Sequence, residues 1–105
     1  LVRRSAVAEV GGMDEAYFMF NEDVDWCRRM KPAGWSVAYV PAAELVHEIG
    51  ASHGAVSNRV IFERHKGMIH YYRKHHPVPQ PLDALAAFVV MARARLLMLL
   101  NGPEH

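Results

Sequence analysis

The chain has 105 residues, 51% of them hydrophobic and 22% charged, with a formal net charge of +1. That length suits one small domain, and the near-neutral balance supplies no bulk field to attract nucleic acid. A single cysteine, Cys27, excludes an intrachain disulfide framework and fits a reducing compartment. The chain opens at Leu1-Val2-Arg3-Arg4 with no initiator Met and no leader pattern, so a piece of a longer protein is expected.

Leu1 to Arg4 reads as a short strand, and Ser5 as the N-cap of a short helix to Val10. Gly11-Gly12 ends that helix and permits positive φ. Residues 13–20 form a loop rich in aromatics and Met. Asn21 can cap an acidic helix that runs to about Ala33 and stops at Gly34, with Pro32 denying a hydrogen bond in its last turn. Trp35 to Val40 is β-branched and aromatic and reads as a strand closed by Pro41. Glu44 to Glu48 is a second extended piece, and Gly50 to Val56 a loop of small residues. Ser57 caps a long helix to about His75. Pro77-Val78-Pro79-Gln80-Pro81 then reads as a stiff linker that holds a last helix, Leu82 to Leu100, away from the body.

The acidic helix carries the chemistry. At about 100° per residue, Trp26, Cys27, Met30 and Ala33 share one apolar arc and Asp23 falls inside it. Asp23 is therefore expected to point inward, where desolvation raises a carboxyl pKa and tunes a general base. Cys27 is expected to be a buried structural thiol. Asp25 and Arg29 stand acid first at i,i+4, a favourable pair that would orient the helix. Acids in a first helical turn are also common for dipole reasons alone.

The order Gly11-Gly12-Met13-Asp14-Glu15, the aromatics Phe18 and Phe20, Glu22-Asp23-Val24-Asp25-Trp26-Cys27-Arg28-Arg29, Ala33-Gly34-Trp35, Val40-Pro41 and Val46-His47 resembles the second half of the inverting family 2 glycosyltransferases, rhamnosyltransferase-like members above all. Met13 stands where that family favours Phe. The resemblance implies an α/β chain, the C-terminal part of a GT-A (nucleotide-diphospho-sugar transferase) fold, mostly helical with two or three short strands. The implied organisation is an acceptor-side part of the catalytic domain over 1–76, the linker 77–81, and an apolar helix and tail over 82–105. In such an enzyme a nucleotide-sugar donor meets a glycan or lipid-linked acceptor in a single inverting displacement. Asp23 would be the base, with Glu22 as alternative base or acceptor-positioning group. Gly11, Gly12, Asp25 and Trp26 would line the substrates. His47 would ligate a divalent cation, Mg or Mn, with His53 a second candidate. The half carrying the Asp-x-Asp metal motif is absent from this chain, so the 105 residues alone are expected to be inactive.

His65, His70, His75 and His76, with Arg64, Lys66, Arg73 and Lys74, make the third helix basic, and a solvated face is the leading reading. Phosphate or lipid head-group contact is the second reading, and nucleic acid is not expected. The last helix is apolar nearly all round but interrupted by Arg93 and Arg95, which suits packing, self-association or peripheral membrane contact better than a membrane span. The expected location is the cytoplasm, with the inner face of the membrane as the alternative. Against the enzyme stand two other classes: a non-catalytic helical interaction module, and a membrane-surface or nucleic-acid adaptor using the basic helix.

Overall fold

The computed structural model describes residues 1–46 and 57–101. Four helices follow in order: α1 Arg4–Val10, α2 Glu22–Met30, α3 Asn58–His75 and α4 Leu82–Asn101. There is no strand among the described residues. The expected strands at Leu1–Arg4 and Trp35–Val40 are thus corrected: Arg4 already belongs to α1, and residues 35–40 run without a pairing partner. An extended segment becomes a strand only when another supplies its hydrogen bonds, and none of the described residues does so. His47, Glu48 and His53 lie outside the described residues.

Helix boundaries follow the local chemistry. α1 starts one residue before Ser5, with Arg3 at the cap position and no side-chain cap. Gly11, at φ 84°, ends it and donates its N–H to Val7 O at 2.9 Å. Regular α bonding in α2 stops at Met30 rather than Ala33, because Pro32 has no N–H to continue the ladder. The chain then closes in a Schellman turn: Trp35 N–H donates to Met30 O (3.1 Å), Gly34 N–H to Lys31 O (3.0 Å), and Gly34 takes φ 83°. Ser57 caps α3 as expected, its Oγ accepting from Val60 N at 3.2 Å. Asn21 occupies the cap position of α2 but makes no side-chain cap bond. It and Phe20 adopt left-handed φ values of 69° and 67°.

α3 and α4 form an antiparallel hairpin. Arg73 at the end of α3 holds Asp83 at the start of α4 (2.7 Å), and Asn101 donates to Asn58 at the opposite end (3.3 Å). The linker does not hold α4 away as expected. Pro79 O accepts from Leu82 N–H at 3.0 Å, so the proline segment turns and returns the chain onto α3. Ile61, His65 and Ala94 are buried between the two helices.

Little else is enclosed. Among the described residues the buried apolar set is Ala6, Tyr17, Met30, Ile61 and Ala94. The radius of gyration, 16.7 Å, exceeds the roughly 13 Å of a compact domain of this length. Much of α4 faces solvent, with Phe88 70% and Leu99 76% exposed.

Candidate functional site

α2 docks on its neighbours through polar side chains. Asp25, not Asp23, is the inward carboxylate: its side chain is fully buried, whereas Asp23, Cys27 and Ala33 are exposed and Trp26 is half-buried. The expected apolar arc is therefore corrected. A helical wheel weighs apolar residues only, and here the binding surface on α3 is a set of cations that a buried acid satisfies better than a thiol or a methyl group.

Asp25 receives four donors from three elements. Arg29 Nε lies 2.8 Å from Oδ2, the expected i,i+4 pair. His75 Nε2–H donates to Oδ1 at 2.6 Å, Lys74 Nζ lies 3.0 and 3.1 Å from the two oxygens, and the Tyr17 hydroxyl reaches Oδ1 at 3.4 Å. Burial pushes the Asp25 pKa up, but hydrogen bonds from Lys74, Arg29 and His75 outweigh it and bring it down to about 2. Burial, reinforced by the charges of Asp25 and Asp14, pushes the Tyr17 phenol well above its ordinary range, so it stays a donor.

Asp14 is the second anchor. One oxygen accepts from Ala16 N–H at 2.9 Å, a turn-forming bond two residues along the chain. The other takes Lys74 Nζ at 2.6 Å and His70 Nε2–H at 3.1 Å, and these bonds, Lys74 first, hold its pKa well below the carboxylate range. Burial alone would lower the Lys74 pKa, yet its bonds to Asp14 and Asp25 raise it. The reading of the α3 histidines as a solvated face is corrected at His65 and His75. His65 is buried: its Nδ1–H donates to Ile61 O (2.7 Å), leaving Nε2 to accept from Arg93 (2.7 Å).

The double-glycine turn is held by the same helix. Trp26 Nε1–H donates to Gly11 O at 2.8 Å, and Arg29 donates to Val10 O at 3.0 Å and Gly12 O at 2.6 Å. Neither glycine has an atom within 4 Å of where a Cβ would stand, so this turn is open on its outer side. Gly67 of α3 is different. A Cβ there would lie 3.2 Å from Asn21 Nδ2 and 3.3 Å from Phe20 O, so its bare backbone admits the left-handed bend that launches α2.

Of the residues expected to form the site, Gly11, Gly12, Trp26 and Asp25 are tied together by these bonds. Asp23 stands on the exposed side of the first turn of α2, where Oδ1 accepts only from Val24 N–H at 2.8 Å. Glu22 Oε2 is buried without a hydrogen-bond partner. Tyr17 and Gly67 escaped the sequence reading, in which Lys74 and His75 figured only as part of a basic helix face. A signal for Lys74 and His75 did exist: the excess of acids over residues 14–25 faces an excess of cations at the end of α3. Among the described residues no group of three or more His, Cys, Asp or Glu side chains is placed to hold a metal ion, and no step below is routed through one.

The glycine turn is thus bonded to an acid-rich helix with one carboxylate, Asp25, buried and its neighbour Asp23 exposed. The chain belongs to the Glycosyltransferase like family 2, which matches residues 1–66. It is 56% identical over 54 residues to the N-acetylglucosaminyl-diphospho-decaprenol L-rhamnosyltransferase of Mycobacterium tuberculosis, a match covering 51% of this chain and 18% of the relative. It is 47% identical over 47 residues to rhamnosyltransferase WbbL of Escherichia coli, covering 45% of this chain and 18% of that protein. The matched chain thus spans less than a fifth of these relatives. No solved structure matches it.

Proposed function

We propose that this chain is the acceptor-side part of an inverting glycosyltransferase that moves a hexosyl group, rhamnosyl by analogy with its relatives, from a nucleotide-sugar donor to a glycan or lipid-linked acceptor. Asp23 takes the proton from the acceptor hydroxyl, whose oxygen attacks the anomeric carbon from the face opposite the leaving nucleoside diphosphate. The observation that carries this reading is the contrast between the two acids of one helical turn. Asp25 is encased by donors and held ionised, so it cannot exchange a proton with a substrate. Asp23 has a single backbone partner, faces outward and is free to do so.

Asp25 then acts as the post that fixes the helix, and its substrate contact is indirect: through Arg29 it sets the Gly11-Gly12 turn against which a sugar could lie. Glu22, whose buried oxygen lacks a partner, is the alternative base or the acceptor-positioning group. A divalent cation held in part by His47 belongs to the same proposal. So does a cytoplasmic setting at a membrane surface, which a lipid-linked acceptor would require. No helix among the described residues is long and apolar enough to cross a membrane.

The test is turnover of nucleotide sugars by the full-length protein. Asp23→Asn is expected to lower kcat by about 10²–10⁴-fold, the range for loss of a general base, with donor affinity little changed. Full activity in Asp23→Asn together with none in Glu22→Gln would move the base one residue.

A further inference from the structure

We propose that the cleft between the outer face of α2 and the end of α3 binds a phosphate or diphosphate group through Arg28 and Lys31. The cleft holds about 800 Å³ and is lined by Val24, Cys27 and Arg28 of α2 and by Lys31 just past its end, at spacings of three and four, with Tyr71 and His75 across from them. None of its described lining residues is an acid.

The two adjacent arginines of α2 stand in opposite electrostatic situations. Arg29 is neutralised by Asp25. Arg28 is held by neutral acceptors only: the Tyr71 oxygen at 3.3 Å, His76 Nε2 at 2.8 Å and His75 O at 3.5 Å. These contacts orient the guanidinium without cancelling its charge. They use three of its five N–H groups, which leaves two, Nε–H among them, for an anion. A pre-oriented guanidinium edge is the donor geometry that matches phosphate oxygens. Lys31, one turn further on, is exposed, and its ammonium has no hydrogen bond or ion pair among the described residues. A helix C-terminus tolerates cations for dipole reasons, but that does not explain a fixed, uncompensated arginine at the wall of a cleft.

Position supports a role in the reaction, and to that extent the inference rests on the function proposed above. Asp23 does not line the cleft but precedes its lining residue Cys27 by one turn, about 40° away round the helix, and Arg28 lies about 7–8 Å along the axis and about 140° round from Asp23. A substrate whose phosphate rests on Arg28 and Lys31 would reach the proposed base with the sugar next to that phosphate. Both a nucleotide-diphosphate donor and a diphosphate-linked acceptor have that chemistry.

The probe is pyrophosphate titrated into the full-length protein in EDTA at low salt, followed by calorimetry. Lys31→Gln, which breaks no contact seen in the structure, is expected to weaken binding about 10-fold, and Arg28→Gln by about 10–100-fold, as for hydrogen bonds to charged groups. Arg28→Lys should recover only part of the loss, since an ammonium lacks the two-pronged edge. Unchanged pyrophosphate affinity in Lys31→Gln and in a folded Arg28→Gln, or no pyrophosphate binding by the wild type, overturns the site. Steady-state kinetics of Lys31→Gln then separates the sources: a raised KM confined to the nucleotide sugar assigns the donor, and one confined to a diphosphate-lipid acceptor assigns the acceptor. Arg28-dependent pyrophosphate binding in a wild-type protein that transfers no sugar would keep the site and remove the transferase reading alone.

Discussion

Residues 1–46 and the α3–α4 hairpin are held by different means. In the first region acids outnumber Lys and Arg, the helices are short, and the ties are side chains reaching carbonyls or carboxylates: Trp26 to Gly11, Arg29 to Gly12, Trp35 Nε1–H to Glu9 at 3.0 Å. In the second region cations outnumber acids, and two long helices pack along their length around Ile61, His65 and Ala94. The junction between them is electrostatic, with Asp14 and Asp25 gripping Lys74, His70 and His75. A region assembled from directed bonds can place a turn and a carboxylate accurately, yet it depends on a few ionised groups. A region assembled from packed helices depends on them less, the ion pair between its helices, Arg73–Asp83, lying at the exposed end of the hairpin. That division suits a chemical site carried on a stiff support.

The comparison breaks most visibly at its hinge. Asp25→Ala should destabilise the chain by about 3 kcal/mol, the low end for breaking a buried ion pair, because the part-buried Arg29, Lys74 and His75 lose their shared acceptor but keep some access to water, as read from the denaturant midpoint. The same change at the exposed Asp23 should stay within about 0.5 kcal/mol. Equal losses at the two positions would show that the buried network does not anchor α2.

Acid should sharpen the contrast. Asp25 ionises at about 2 in the folded chain against an ordinary 3.8. Its folded pKa is depressed, so its stabilisation is fully present above the unfolded pKa and lost as pH falls through the folded one. That amounts to roughly 2 kcal/mol, gone progressively between about pH 5 and pH 1. Asp14, also depressed, adds in the same direction. Lys74, whose pKa is raised, sets the opposite limit: its share is present below the ordinary lysine value and disappears as pH rises through the folded one. Hydrogen exchange at acid pH should therefore open α2 before the α3–α4 hairpin; simultaneous opening would contradict the division.

Ser57→Ala tests the hairpin on its own and should cost about 1 kcal/mol, the usual value of an N-cap. That loss should be independent of pH over the range in which Asp25 titrates, as checked by thermal unfolding at two pH values. Self-association is the mildest expectation. The exposed apolar side of α4 is proposed to pair with a second copy when nothing else covers it, and light scattering of the isolated chain at micromolar concentration should show a dimer rather than a monomer.

The sequence by itself determined several helix boundaries, though not the start of α1 or the last turn of α2. The Ser57 cap, the Gly11 and Gly34 terminators and the Asp25–Arg29 pair all act within a few residues, and local chemistry is legible locally. The ordered motifs from Gly11 to His47 likewise announced the family. The facing of α2 was decided only by the tertiary structure. Whether Asp23 or Asp25 turns inward depends on Lys74 and His75, which lie some fifty residues away in the chain, and no helical periodicity carries that information. The same holds for the strands, which need a partner segment, and for α4, which a turn at Pro79 brings back onto α3 where the prolines alone suggested a rigid spacer. Pairing across long separations is a property of the folded chain, and here it selected which acid became the anchor and which was left exposed.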